Sequence, residues 1–271
     1  MPRAAVLGSP IEHSLSPVLH NAGYQALGLE DWSYTRFECE AAQLPELVDR
    51  AEEDFVGFSV TMPGKFAALE YGTEVTDRAR LMGSANTLVR LENGWRADNT
   101  DTEGVAGALE ELLGDRSIDR AMVIGSGGTA RPAIWALGQR GVAHIDLLNR
   151  RDRRAELSNL TGTLGIHVEP ATYRDNLKAL ARKADVVIST VPSAALDGFE
   201  EDLAQAPVLD VIYDPWPTRL ITAAAADGYR TVGGHVMLAC QAFSQFEQFT
   251  GHEAPRAAMF DALRNALGRT R

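Results

Sequence analysis

Short apolar runs rich in β-branched residues alternate with longer amphipathic stretches along the whole chain. A short apolar run is typical of a buried strand, whereas apolar positions three and four apart are typical of a helix. The alternation therefore predicts an α/β fold with parallel strands. The predicted strands are Ala4–Leu7, Ser33–Phe37, Phe55–Val60, Ala121–Ile124, His144–Leu148, Val186–Thr190 and Val208–Tyr213.

The amphipathic stretches predict helices between these strands, and a turn at Glu92–Asn93 predicts a hairpin of Asn86–Leu91 with Gly94–Asn99. A second series of strands and helices begins at Ala121, after the polar break Gly114–Arg120, which predicts two domains. Two further helices follow the final strand, and the pattern alone leaves open which domain they join. The predicted helices are Val18–Leu27, Leu44–Glu53, Thr102–Leu113, Ala130–Gln139, Tyr173–Lys183, His235–Thr250 and Pro255–Leu267.

Composition narrows the class of protein. The 271 residues, 45% of them hydrophobic, fit one large or two modest domains with a sizeable core. No apolar run approaches the ~20 residues of a transmembrane helix. A net charge of −11 disfavours nucleic-acid binding but leaves an anionic small ligand open. Two distant cysteines, Cys39 and Cys240, indicate a reduced cytoplasmic enzyme, and the histidine spacing gives no metal site.

The glycine-rich stretch Gly125–Ala130 carries the strongest local chemical signal. It reads Gly-Ser-Gly-Gly-Thr-Ala, directly after the predicted strand Ala121–Ile124 and before a predicted helix. Glycines in such a turn let backbone N–H groups approach a pyrophosphate at a helix N-terminus. A glycine-rich turn can also be purely structural, but the strand and helix around it favour a dinucleotide site.

The end of the next predicted strand is basic and reads Asn-Arg-Arg-Asp-Arg-Arg from Asn149 to Arg154. A cofactor without a 2′-phosphate usually meets an Asp or Glu there, whereas guanidinium groups pair with a phosphate dianion. Arginines in the first turn of a helix oppose its dipole, which favours a bound anion over solvated surface charge. We therefore predict NADP rather than NAD. At a helix start, Arg150 and Arg154 would share a face and grip the 2′-phosphate, with Arg151 and Arg153 facing solvent.

Three polar clusters precede this region: Gly8–Pro17, Ser59–Lys65, and Ser84–Thr87 with Asp98–Asp101. Each alone is explained by capping serines, a surface lysine, a hairpin asparagine or a capping aspartate. Together, in this order and spacing, they resemble the shikimate dehydrogenase family. The resemblance extends over essentially the full chain, with matching stretches at Leu7–Asn21, Ser59–Lys65, Gly83–Thr87, Asn99–Gly104, Asn149–Ala155, Asp210–Leu220 and Gly233–Gly251.

The resemblance implies an oxidoreductase that reversibly reduces 3-dehydroshikimate to shikimate with NADPH, in chorismate and aromatic amino-acid biosynthesis. The implied fold has an α/β substrate domain, residues 1–101 plus 235–271, completed by C-terminal helices. Residues 102–234 form a Rossmann-like NADP-binding domain. We expect a cytoplasmic monomer or homodimer that binds its small-molecule substrate but neither nucleic acid nor membrane.

The resemblance also implies roles for matching residues. Lys65 and Asp101 form the catalytic pair, in which Lys65 is the natural proton donor to the developing alkoxide, although which residue transfers the proton is left open. The implied substrate-binding residues are Ser14, Ser16, Thr61, Lys65, Asn86, Asp101, Tyr213 and Gln241. The implied cofactor-binding residues are Gly125, Gly127, Gly128, Thr129, Ala130, Asn149, Arg150, Arg154, Thr190, Val191, Gly234 and Met237.

Two other interpretations compete with this one. The first is a quinate/shikimate dehydrogenase that prefers NAD, against which the basic cluster at Arg150–Arg154 argues. The second is a redox-sensing binding module that has lost catalysis. Retention of Lys65, Asp101, Asn86 and both loop serines argues against the second.

Overall fold

The computed structural model describes residues 1–269, and the chain forms two compact units. The first unit consists of Met1–Thr100 and the chain from Gln241 onwards, and the second consists of Asp101–Cys240. In the domains expected from the resemblance, the two boundaries instead follow Asp101 and Gly234. Thr270 and Arg271, the last residues of the expected substrate domain, lie outside the described residues.

The first unit is built on a six-stranded mixed sheet with the order β2-β1-β3-β5-β6-β4. Strands β1, β2 and β3 run parallel, and the hairpin of β5 and β6 joins β3 in antiparallel orientation. The predicted hairpin is therefore confirmed, and the sheet is not purely parallel. The strands are β1 Arg3–Gly8, β2 Ser33–Glu38, β3 Phe55–Val60, β4 Glu74–Val75, β5 Thr87–Leu91 and β6 Gly94–Asp98.

Apolar side chains of the inner strands form the core of this sheet. Leu7, Phe58 and Leu88 have no exposed surface. The ring of Phe58 lies 5.2 Å from that of Phe55 and 5.3 Å from that of Trp95, centroid to centroid, so aromatic packing ties β3 to β6. The helices of the N-terminal segment are α1 Ser16–Ala26, α2 Leu44–Asp49, α3 Lys65–Tyr71 and α4 Asp77–Met82.

The second unit is a six-stranded parallel sheet with the order β12-β11-β10-β7-β8-β9. The chain returns from β9 to place β10 on the other side of β7, so the strand order reverses between β7 and β10. Ligands of open parallel sheets bind at the carboxyl ends of the strands at such a reversal. The elements are α5 Asp101–Leu113, β7 Arg120–Ile124, α6 Ala130–Gln139, β8 His144–Leu148, α7 Ser158–Leu164, β9 His167–Ala171, α8 Leu177–Ala181, β10 Val186–Ser189, α9 Glu200–Leu203, β11 Val208–Asp210, α10 Arg219–Ala226 and β12 Thr231–Gly233.

Two elements of the second unit are shorter than the pattern predicts, and each has a local cause. Strand β11 ends at Asp210, whose carboxylate accepts the N–H of Ile212 and the hydroxyl of Thr218 and so turns the chain. Helix α8 begins after Asn176, whose side chain caps it by accepting the N–H of Ala179. Edge strand β9 was missed because it contains Pro170, which normally argues against a strand.

The C-terminal helices are α11, Gly234–Thr250, and α12, Arg256–Arg269. Within the first unit, the Phe249 ring lies so close to β3 that a Cβ on Gly57 would be 2.2 Å from it. Met259 and Leu263 of α12 are fully buried. These contacts confirm that α12 and the part of α11 from Gln241 onwards complete the first unit, whereas α11 up to Cys240 belongs to the second. None of the helices within residues 1–269 has the length and apolar character needed to cross a membrane.

Candidate functional site

The glycine turn of the second unit lies at the carboxyl end of β7, where the strand order reverses. Gly125 has a φ of +100°, and a Cβ there would lie 2.6 Å from the Thr190 Oγ1 and 2.8 Å from the Val191 Cγ1. Only glycine fits this position. No atom would contact a Cβ within 4 Å at Gly127 or Gly128, so their backbone faces open space at the start of α6. The turn can therefore present N–H groups to a phosphate at a helix N-terminus.

A cavity of about 630 Å³ lies beside this turn. Asn149, at the end of β8, lines it and accepts a hydrogen bond from the Ser126 hydroxyl at 3.2 Å. The Asn149 Nδ2 is buried without a hydrogen-bond partner. A buried donor without a partner is costly, so this amide fits an acceptor on a bound ligand. A dinucleotide therefore fits the cavity both by its phosphate turn and by an unused donor.

Three arginines line the same cavity: Arg150, Arg151 and Arg153. Arg150 lies near Tyr173, where burial raises the pKa of the phenol and the guanidinium charge opposes that rise. The one lining carboxylate, Glu156, is paired with Arg153 at 2.6 Å. The cavity is thus basic on the side where a cofactor without a 2′-phosphate would meet a carboxylate.

The predicted helical spacing of the basic cluster is wrong. Residues 149–153 form no helix, and a short 3₁₀ turn begins only at Arg154. Arg154 is not among the residues that line the cavity, and its guanidinium pairs with the Asp152 carboxylate at 2.8 Å. The hydrogen bond from Arg154 lowers the pKa of Asp152. Arg151 is exposed, as expected, and Arg153 is half-buried, and both also line the cavity.

The remaining expected residues of the second unit are distributed over several elements. Thr190 follows β10 and donates its hydroxyl to the Ile124 carbonyl at 2.7 Å. Asp101 is buried and is the first residue of α5. Tyr213 lies after β11, and burial raises the pKa of its phenol. The other expected positions are Thr129 and Ala130 at the start of α6, Val191 on the cavity wall, and Gly234 and Met237 in the first turn of α11.

In the first unit, the expected substrate residues lie at the start of α1, after β3, at the start of α3, before β5 and on α11. Ser14 and Ser16 lie at the start of α1, and the Ser14 hydroxyl accepts the N–H of Ser16 at 3.4 Å. Thr61 follows β3, and its N–H reaches the Leu7 carbonyl of β1 at 2.8 Å. Lys65 is the first residue of α3, and its carbonyl accepts the N–H of Ala85 at 2.9 Å. That bond places the start of α3 beside the segment that leads into β5.

Asn86 is buried, and its hydrogen bonds fix the orientation of its amide. Its Oδ1 accepts the Thr100 N–H at 2.7 Å and the Thr87 hydroxyl at 2.8 Å. Its Nδ2 donates to the Gln241 Oε1 at 3.4 Å and to the Thr100 Oγ1 at 3.1 Å. Both ends of the amide are therefore engaged, and a ligand oxygen would bind the amide nitrogen only in place of one of these partners.

Part of the third polar cluster is structural. Asp98 accepts hydrogen bonds from Arg78 and from the Thr76 hydroxyl, and its Oδ1 also takes the N–H of Asn99. Burial alone would raise the pKa of Asp98, but these donors hold that pKa at about 2. Asn99 in turn donates to the Ser84 carbonyl at 2.9 Å. These contacts shape the hairpin that carries Asn86.

Sequence reasoning missed Tyr34 and Gln245, and it left Ser59 without an assigned role. The Tyr34 hydroxyl donates to the Ser59 Oγ at 2.6 Å, which donates to the Gln245 Oε1 at 2.7 Å. His20 stacks on Tyr34 at 4.1 Å, and burial lowers the pKa of its imidazole to about 3. The only sequence signal for Gln245 was its place one helical turn after Gln241.

These observations define the class of protein: an enzyme of two α/β units, one of which has the turn and cavity of a dinucleotide-binding domain. Comparison with family models identifies the family within this class of enzyme. The model of the shikimate dehydrogenase substrate binding domain matches residues 6–88, and that of the shikimate 5′-dehydrogenase C-terminal domain matches residues 234–264. The chain belongs to the shikimate dehydrogenase family.

Individual relatives agree with this assignment. The shikimate dehydrogenase (NADP(+)) of Thermosynechococcus vestitus is 35% identical over 97% of this chain and 95% of its own. The crystal structure of Mycobacterium tuberculosis shikimate dehydrogenase has a TM-score of 0.92 and 48% identity, and covers 98% of this chain and 100% of its own. Quinate dehydrogenase from Corynebacterium glutamicum, solved with NAD, has a TM-score of 0.87 and 28% identity over 97% and 99% of the chains.

Within residues 1–269, no group of three or more His, Cys, Asp or Glu side chains is arranged to hold a metal ion.

Proposed function

We propose that the protein is an NADP-dependent oxidoreductase that reversibly reduces 3-dehydroshikimate to shikimate, in chorismate and aromatic amino-acid biosynthesis. The observation that carries this proposal is the similarity to a shikimate dehydrogenase (NADP(+)) over 97% of the chain. The basic cavity of the second unit supports the choice of cofactor. The cytoplasmic location and the monomeric or homodimeric state stay predictions from the sequence.

In this proposal the second unit binds NADPH, which supplies the hydride. Gly127, Gly128 and the start of α6 bind the pyrophosphate through backbone N–H groups. Asn149 offers its buried Nδ2 to the adenosine end, and Arg150 binds the 2′-phosphate beside it. Arg154 contributes only after its guanidinium leaves Asp152. Thr190, Val191, Gly234 and Met237 are proposed at the nicotinamide end, by resemblance.

The first unit is proposed to bind the substrate. Ser14 and Ser16 contact its carboxylate, with Tyr213 of the second unit as a further candidate. Thr61, Asn86 and Gln241 bind ring oxygens, and the Asn86 Nδ2 would donate to the ring in place of its 3.4 Å bond to Gln241. These neutral groups select a small polyhydroxylated acid by hydrogen bonding, without the cost of burying an unpaired charge.

Lys65 and Asp101 are proposed as the catalytic pair. Hydride arrival at the carbonyl carbon leaves charge on the oxygen, and an ammonium group can stabilise and protonate it. Lys65 would give that proton and Asp101 would orient the lysine. The proposed domains, 1–101 with 235–271 and 102–234, assign Lys65 and Asp101 to the substrate domain.

An assay of shikimate-dependent NADP reduction tests the proposal, run beside NAD and quinate in all four combinations. We expect the highest kcat/KM with shikimate and NADP. A higher kcat/KM with quinate and NAD would favour the quinate dehydrogenase interpretation. Tight NADP binding without turnover of either substrate would favour a binding module.

A further inference from the structure

A chain of buried hydrogen bonds in the first unit ends at Asn86, one of the proposed substrate residues. We propose that Tyr34, Ser59 and Gln245 are positioning residues that hold Asn86 in place. The inference rests on the proposed function for the identity of the substrate. These three side chains set substrate affinity without touching the substrate.

Gln245 is the centre of this chain. Its side chain is only 1% exposed, and its amide uses both its oxygen and its nitrogen. Oε1 accepts the Ser59 hydroxyl at 2.7 Å, and Nε2 donates to the Asn86 carbonyl and to the Thr87 Oγ1, each at 3.0 Å. Thr87 then donates to the Asn86 Oδ1 at 2.8 Å. Gln245 therefore restrains both the backbone and the side-chain amide of Asn86.

The other end of the chain is Tyr34 of β2. Its hydroxyl donates to the Ser59 Oγ at 2.6 Å, and Ser59 in turn donates to Gln245. Since Tyr34 and Ser59 each give their single proton toward Gln245, the direction of both donors follows from the amide of Gln245. Tyr34 is thereby connected to Asn86 through Ser59 and Gln245.

Burial makes this chain rigid. Tyr34, Ser59 and Thr87 are all buried, so water does not replace a lost partner. His20 covers the Tyr34 ring at a centroid distance of 4.1 Å with an angle of 6° between the planes. A connected buried network of this kind specifies one arrangement of its members. A gap in it allows the Asn86 amide to move from the position that the substrate requires.

A double-mutant cycle between Gln245→Leu and Asn86→Ala tests the proposal. We expect Gln245→Leu to raise the shikimate KM about tenfold with little change in kcat, as expected for one lost hydrogen-bonded contact. In the Asn86→Ala background the same change should add less than about twofold, since Gln245 acts through Asn86. Independent, multiplicative effects on KM would overturn the proposal.

Gln205→Leu is the matched control. Gln205 is a buried glutamine of the second unit whose Oε1 accepts from Arg182 at 3.0 Å and whose Nε2 donates to the Glu201 carbonyl at 2.8 Å. Its replacement should leave the shikimate KM unchanged, and the NADP KM should be unchanged in the Gln245 and Tyr34 variants. An equal rise in shikimate KM for Gln205→Leu would reduce Gln245 to a general packing role and overturn the proposal.

A smaller change covers the case in which Gln245→Leu does not fold. Tyr34→Phe removes one oxygen and keeps the ring that stacks on His20. It should raise the shikimate KM several-fold alone and by less than about twofold in the Asn86→Ala background. An unchanged KM in folded Tyr34→Phe would overturn the role of Tyr34 in this chain. Failure of the proposed function itself would be recognised in the wild type, which would then show no shikimate-dependent NADP reduction.

Discussion

In the first unit, the side chains around Asn86 bond to one another, and the buried amide of Gln245 uses both its oxygen and its nitrogen. In the second unit, the Asn149 Nδ2 is buried with no partner, and three arginines line one cavity. The first arrangement is neutral and complete before a ligand arrives. The second has unused donors and excess positive charge that an anionic ligand would satisfy. The two units would therefore recognise their ligands differently. The first would bind a neutral ring through hydrogen-bonding groups that are already in place, and the second would bind a phosphate through its positive charge.

Removal of the Lys65 side chain is expected to have the largest effect. General acid–base groups supply ~10²–10⁴-fold in rate, so Lys65→Ala should lose that much turnover while NADPH binding in the second unit is kept. Steady-state kinetics and a cofactor titration measure the two quantities. Lys178→Ala, an exposed lysine of α8, is the control. Turnover above about a tenth of wild type would remove Lys65 from the mechanism.

The structure of the basic cavity predicts that substitutions of Arg150 and Arg154 have different effects, although the sequence indicated the same role for both. Arg150→Ala should lower kcat/KM for NADP by about 10–10²-fold and leave the value for NAD nearly unchanged, because a hydrogen bond to a charged group contributes roughly 1.5–3 kcal/mol. Arg154→Ala should cost less than about threefold, since its guanidinium already pairs with Asp152.

The same measurement at several salt concentrations extends this test, because the contribution of Arg150 to kcat/KM for NADP should become smaller as ionic strength rises. Equal losses for Arg150→Ala and Arg154→Ala would mean that the Asp152 pair opens when the cofactor binds. If Arg150→Ala prefers NADP over NAD as strongly as wild type does, the basic cluster is solvated surface charge and does not bind the cofactor.

Substitution of the loop serines should change affinity rather than rate. A carboxylate contact is equally present before and during hydride transfer, so Ser14→Ala should raise the shikimate KM roughly tenfold with kcat nearly unchanged. The NADP KM serves as the internal control. A large fall in kcat at constant shikimate KM would instead give the loop a part in catalysis.

Burial of His20 predicts a pH dependence of stability that belongs to the first unit. Its pKa falls from 6.5 to about 3 on folding, so the unfolded chain binds a proton between these values and the folded chain does not. Stability is therefore complete above about pH 6.5 and falls as the pH drops, by about 2 kcal/mol between pH 7 and pH 5.

Urea unfolding of wild type and His20→Phe at both pH values measures this loss. The variant should show a smaller fall in stability, by that amount, than wild type. Replacement of the exposed His252 by Gln is the control and should leave the fall unchanged. An equal fall in wild type and His20→Phe would show that His20 is not the titrating group.

The local elements were accessible from sequence because their signals are local. The strand, glycine turn and helix around Gly125 follow one another directly, and the hairpin at Glu92–Asn93 joins adjacent strands. Strand β9 was not found because its pairing with β8 outweighs the local preference of Pro170. The basic cluster was recognised as a group, but its assumed helix was wrong, and of the two arginines chosen, Arg150 lines the cavity and Arg154 does not.

The sequence by itself determined the α/β class, the dinucleotide turn, the basic cluster and the resemblance to shikimate dehydrogenases, because each depends on neighbouring residues or on a pattern along the chain. The pattern left open which unit the C-terminal helices join, and the resemblance assigned them to the substrate domain. Only the tertiary structure decided that Tyr34, Ser59 and Gln245 form one chain. Ser59 and Gln245 are 186 positions apart, and Tyr34 and Ser59 are 25 apart. Hydrogen bonds over such separations exist only once β2, β3 and α11 have packed together and excluded water.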